Sequence, residues 1–191
     1  MPGVKSSPPQ REIDRYEQEL KRHISQMAVK QFSEVSGTDG IHVRDILPEE
    51  DFQSGADNAW DGNTRYWAQN GLDAGARNEV YEIDSDDRAD RKLIGIFALS
   101  HVQNATISSE VGFDDGTGTR FERVNVQEVL NRDDDPVALL KQPIIFNATQ
   151  EGSIYQWATE AGDDQIVYHG AVAEKAGRTL GERAGKGKVR V

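Results

Sequence analysis

The chain has 191 residues, 33 Asp+Glu against 22 Lys+Arg, and no cysteine; it fits one domain with appendages, large enough to bury a core without disulfide or metal staples. The lack of cysteine excludes thiol catalysis, Cys-ligated zinc and a disulfide framework, and does not separate cytosolic from extracellular chemistry. Charge is segregated: residues 1–40 hold six cations and six anions, and 175–191 hold six cations against Glu182 alone, which leaves 10 and 26 for residues 41–174, an acidic body of net −16 with a basic tail.

Asp (18) outnumbers Glu (15), and Arg (14) outnumbers Lys (8). A densely carboxylated surface stays hydrated in molar salt, where self-repulsion is screened, so the composition suits a halophilic protein better than an ordinary acidic one. Blocks of opposite charge repel like surfaces and seek unlike ones, which favours a component of an assembly over a free catalyst. Residues 1–10 are polar and Pro-rich with no apolar run behind Lys5, so no signal peptide is expected. No stretch approaches the roughly 18 apolar residues of a membrane span.

Ser6-Ser7-Pro8-Pro9 reads as a helix start, a capping hydroxyl followed by proline in the first turn. Ile13, Tyr16, Leu20, Ile24, Met27 and Ala28 then recur at spacings of three and four and predict a helix over about 9–33 with one apolar stripe. Such a stripe must be covered, by the chain's own β-domain or by a neighbouring subunit. Ser36-Gly37-Thr38-Asp39-Gly40 ends the helix, giving an N-terminal arm and helix (1–40), a β-domain (41–174) and a basic extended tail (175–191).

From Ile41 the period changes. Strands are expected at 41–43, 80–83, 93–102, 105–113, 120–126, 144–146, 153–159 and 165–173, with Arg65-Tyr66-Trp67 ambiguous. Glycine-bearing turns at 113–121 and 160–164 predict two hairpins. Short helices are expected at 125–131 and, after Pro136, over Val137-Ala138-Leu139-Leu140-Lys141. Eight short strands without long crossovers predict a mainly β fold: an antiparallel, jelly-roll-like β-sandwich with a long N-terminal α-helix and an extended C-terminal tail.

The polar segment 51–78 carries Trp60, Arg65, Tyr66 and Trp67 on a Gly-rich loop. Aromatics and arginine are the residue types that dominate buried subunit contacts, so these four, with Ile13, Tyr16, Leu20, Ile24 and Met27 of the helix stripe, form a candidate subunit interface. The same rings would equally plug one end of the sandwich. In the tail, Arg178, Arg183, Lys186, Lys188 and Arg190 on a Gly-containing strand form a candidate attachment device for an acidic neighbour. Nucleic acid is the weaker partner, because the acidic body would be repelled.

No motif carries catalysis, and neither a metal nor another cofactor is expected. His23, His42, His101 and His169 stand singly, outside metal or nucleophile spacings. The run Asp84-Ser85-Asp86-Asp87-Arg88-Ala89-Asp90 starts like a calcium loop but has Ala89 for the turn glycine and Gly95 for the closing glutamate; it and Asp133-Asp134-Asp135 read by default as solvated acidic loops, with a looser Ca²⁺ or Mg²⁺ site at either as the alternative. Residues 181–187 miss the phosphate-loop spacing by one and lack its Ser/Thr. Asn104-Ala105-Thr106 and Asn147-Ala148-Thr149 are formal glycosylation sequons of low specificity.

Pro143-Ile144-Ile145-Phe146, Ile154-Tyr155-Gln156-Trp157 and Val167-Tyr168-His169-Gly170-Ala171-Val172-Ala173-Glu174 together resemble the closing strands of β-sandwich proteins that decorate the heads of tailed viruses, particularly those of halophilic archaea. The resemblance covers the last third of the chain. It implies a non-enzymatic structural protein located in the virion, a homo-oligomer of three or five copies that binds the major capsid protein or another virion component, with connector and tail proteins as variants. The rival class is a carbohydrate-binding or hydrolytic β-sandwich in which exposed Trp60 and Trp67 form a sugar platform.

Overall fold

A computed structural model describes residues 4–6, 8–32, 37, 40–58, 67–83, 92–102, 105–116, 121–131, 137–147 and 151–176. In chain order the elements are β1 (Val4–Ser6), α1 (Gln10–Gln31), β2 (Ile41–Asp45), α2 (Pro48–Asp51), β3 (Gln53–Ser54), β4 (Gln69–Leu72), β5 (Asn78–Ile83) and β6 (Leu93–His101). They continue with β7 (Ser108–Asp114), β8 (Phe121–Asn125), α3 (Gln127–Leu130), β9 (Val137–Phe146), β10 (Gly152–Ala158), β11 (Gly162–Asp164) and β12 (Ile166–Lys175).

The protein is mainly β, with antiparallel sheets and one long N-terminal helix. One five-stranded sheet runs β1-β9-β6-β12-β2, a second runs β3-β5-β10-β7-β8, and β11 pairs β4 in a small third sheet. Side chains from both large sheets share one core, among them Ile94, Ile96, Tyr168 and Val172 from the first and Val80, Val111, Phe113 and Ile154 from the second. A second cluster lies on the other side of the first sheet, where Leu20, Ile24, Ala28 and Phe32 of the helix meet Leu93, Phe97, Leu139 and Ala173. The spacing of four that joins Leu20, Ile24, Ala28 and Phe32 sets one face of α1 on β12, β6 and β2. Burying each such Leu, Ile or Phe contributes about 1.5–3 kcal/mol.

The first sheet is therefore covered on both faces. This explains why β6 reads as the unbroken apolar run Leu93–Leu99 rather than as an alternation.

Several sequence expectations are revised. The helix starts after Pro9 with no side-chain cap; Glu12 N–H donates to the Pro9 carbonyl at 2.8 Å, and Ser6 belongs to β1, which pairs with β9. Residues 137–141 are not a helix but the start of β9, where Ala138 and Leu140 point into the shared core and Leu139 into the helix cluster. The turn at 113–121 does join β7 to β8, with Gly116 at φ 73°. Residues 160–164 do not close a hairpin, because β10 and β12 lie in different large sheets and 162–164 form β11 against β4.

Candidate interaction surface

A buried charge cluster fixes one corner of the molecule. Arg44, at the edge strand β2, donates from Nη1 and Nη2 to the two oxygens of Asp51, each at 2.7 Å, and from Nε to Glu174 at 3.2 Å. Glu50 approaches the same guanidinium at 3.7 Å, while Lys92 Nζ donates to the Glu50 carbonyl at 2.8 Å and lies 3.4 Å from Asp51. Burial alone would lower the Arg44 pKa, but Asp51 and Glu174 outweigh it and drive it well above the ordinary value, making Arg44 a permanent cation. Its fork matches the carboxylate of Asp51 in bidentate fashion, which clamps α2 to the sheet.

A second buried group links the sheets. Asp164 accepts from Thr106 Oγ1 and Ser108 Oγ, each at 2.6 Å, and stands 2.6 Å from His101 Nε2. Ser108 Oγ also lies 3.0 Å from Gln156 Oε1, and Gln156 Nε2 donates to Tyr168 OH at 2.8 Å. Burial would raise the Asp164 carboxyl, yet the bonds from His101, Ser108 and Thr106 hold it below its ordinary range. Serine and histidine both engage the carboxylate rather than each other, so the trio lacks the Ser–His contact that activates a nucleophile.

Ser100 and His169 do touch, at 2.7 Å, on the outer face of the first sheet. His169 borders a cleft of about 240 Å³ lined also by Glu17, Asp45, Ile46 and Trp67. Burial lowers the His169 pKa and Glu17 partly opposes this, so the imidazole is neutral near pH 7. Among the described residues no carboxylate hydrogen-bonds that imidazole to orient it. No three His, Asp or Glu side chains among them converge as a metal site, and no described helix is long and apolar enough to cross a membrane.

The residues expected at a subunit interface have the following places. Leu20 and Ile24 are 2 % and 0 % exposed against the chain's own sheet, which leaves them no surface for a neighbour and corrects that expectation for both. Ile13, Tyr16 and Met27 pack partly on the same cluster and keep some surface. Trp67 is a plug of this chain's own core: its ring lies 5.1 Å from Tyr168, 5.4 Å from Tyr81 and 5.7 Å from Phe52. It is therefore not an open sugar platform. Trp60, Arg65 and Tyr66 lie outside the described residues, as do Arg178, Arg183, Lys186, Lys188 and Arg190, the 84–90 and 133–135 acidic runs and Asn104.

Two surface features escaped sequence reading. In β10 the buried positions are Ile154, Gln156 and Ala158, so Tyr155 and Trp157 face outward on the second sheet, under the guanidinium groups of Arg77 (3.6 Å from the ring centre) and Arg123 (4.1 Å). The alternation was legible, but its polarity was not, because Gln156 is the inward residue. The other is a groove of about 750 Å³ between α1 and β9, floored by Phe97 and Pro143 and rimmed by Arg15, Arg22 and Lys141. Its signal, Arg15 and Arg22 seven residues apart on one helix face, was present in the sequence but indistinguishable from a solvated face. No family model matches this sequence, and no curated protein does.

Proposed function

We propose that this chain is a non-enzymatic structural protein of a virus particle, a capsid-associated component that self-associates and docks on the capsid lattice. The observation that carries the reading is the pairing order. Taking β2, β5, β6, β7, β8, β9, β10 and β12 as eight successive strands, the pairs are first with eighth, second with seventh, third with sixth and fourth with fifth. That order supports a ribbon of hairpins wrapped into a jelly roll, an architecture shared by viral capsid proteins, lectins and cupins. Fold alone does not choose among these.

The choice rests on charge. An acidic body followed, beyond β12, by five cations against one anion in residues 177–191 is suited to meet unlike surfaces on neighbouring copies, offsetting the repulsion that would oppose a closed ring. The test is a deletion of residues 177–191, which spares the bond from Ala176 N–H to the Gly40 carbonyl at 2.9 Å. The truncated chain should fold and melt as the full chain does yet lose self-association measured by light scattering. Full association without the tail would remove the charge argument.

A further inference from the structure

We infer that the groove between α1 and β9 is a docking site for an acidic, extended peptide segment of a partner protein. The helix lies chiefly over β12, β6 and β2 and meets β9 through the cluster that holds Leu139, which leaves a groove between α1 and the 141–143 stretch of β9. There β9 bulges: between Leu139 and Ile144 it advances five positions while its partner β6 advances two, from Ala98 to Ile96. Bulges of this kind re-aim side chains. This one carries Lys141 and Gln142, both exposed, and Pro143, opposite the helix.

The charge of the groove runs against that of the chain. Arg15, Arg22 and Lys141 face it with Glu19 the lone carboxylate of its described lining, in a protein of net −11. Glu19 is spent on Arg15 at 3.9 Å, whereas Arg22 and Lys141 make no ion pair among the described residues. Lys21 of the same helix, by contrast, is held by Glu17 and by Asp45 at 2.8 Å. These cations above a floor that includes Phe97 and Pro143 complement a segment that alternates carboxylates with apolar side chains. The inference concerns the chemistry of the groove and stands whether or not the partner belongs to a virion.

The test is fluorescence anisotropy on the full chain with a fluorescein-labelled peptide alternating Glu and Leu, about ten residues long, beside the same peptide with Lys for Glu and an oligothymidine of similar length. The Glu peptide should bind saturably at low ionic strength and weaken in molar salt. Arg22→Glu and Lys141→Glu should each weaken it about tenfold or more, Arg22→Gln less, and Lys30→Glu, exposed near the far end of the same helix, by less than about twofold. Absence of saturable binding, equal loss in Lys30→Glu, indifference to salt, or tighter binding of the oligothymidine would overturn the proposal. Circular dichroism establishes that each variant is folded, and the neutral Arg22→Gln decides the matter should a reversal unfold the chain.

Discussion

Gly170 packs so closely on the carbonyl of Gly95 that a β-carbon there would overlap it, and would also stand 2.7 Å from Ile46 Cδ1. The two glycines lie on the neighbouring strands β12 and β6, Gly170 opposite Ile96 and Gly95 opposite Ala171, where the register shifts between His169 and Gly170. Because backbone rather than a flexible side chain blocks the space, Gly170→Ala must displace a central strand. It should lower stability by about 1–3 kcal/mol, read as a shift in the urea midpoint. An unchanged midpoint would contradict the packing.

Removing Arg44 tests the charge cluster. The side chains of Asp51 and Glu174 have no exposure, so Arg44→Met would take from both buried carboxylates the cation that pairs with them. Breaking one partner out of a buried ion group costs about 3–5 kcal/mol. Denaturant unfolding should show a loss of that size at neutral pH.

Gln69 acts as a stretch of backbone. Its Oε1 accepts from Ile166 N–H at 2.7 Å, while its Nε2 donates to the Ile166 carbonyl at 3.1 Å and to Tyr81 OH at 2.8 Å, all in a position with no solvent exposure. Gln69→Leu keeps the volume and strands the peptide groups of Ile166, at about 1–3 kcal/mol for each buried group left unmade. Gln69→Glu should cost as much or more, since it removes the donor to Tyr81. Burial has pushed the Tyr81 phenol up to about 12, with the bonds from Gln69 and to Ala68 opposing it.

His169 gives stability a pH dependence whose sign follows from its environment. Burial holds its folded pKa below the unfolded value of 6.5, so the unfolded chain takes up a proton first as pH falls. The contribution is intact above pH 6.5 and is lost as pH drops from there through the folded pKa. His169→Gln should therefore flatten the stability profile between neutral and mildly acid pH relative to the parent chain. Identical slopes would show that the imidazole is solvated.

The helix was legible because its stripe at spacings of three and four meets a single surface, and the strands of the second sheet because one of their faces meets the shared core. β9 was misread for a physical reason. Covered by the core on one side and by the helix on the other, Val137–Leu140 lose the alternation that marks a half-buried strand, and a short apolar run of that kind reads equally as a helix. β1, β4 and β11 are short strands held by pairing partners distant in sequence, which no local pattern announces. The groove depends on the bulge in β9, a feature that sequence periodicity does not encode.

The proposed function requires copies of this chain to associate. The molar mass of the full-length protein by multi-angle light scattering in molar salt tests it most directly. A mass that is an integral multiple of 21.2 kDa, falling towards the monomer when the 177–191 segment is removed, is the predicted result. A mass of 21.2 kDa at every concentration and salt level would contradict it.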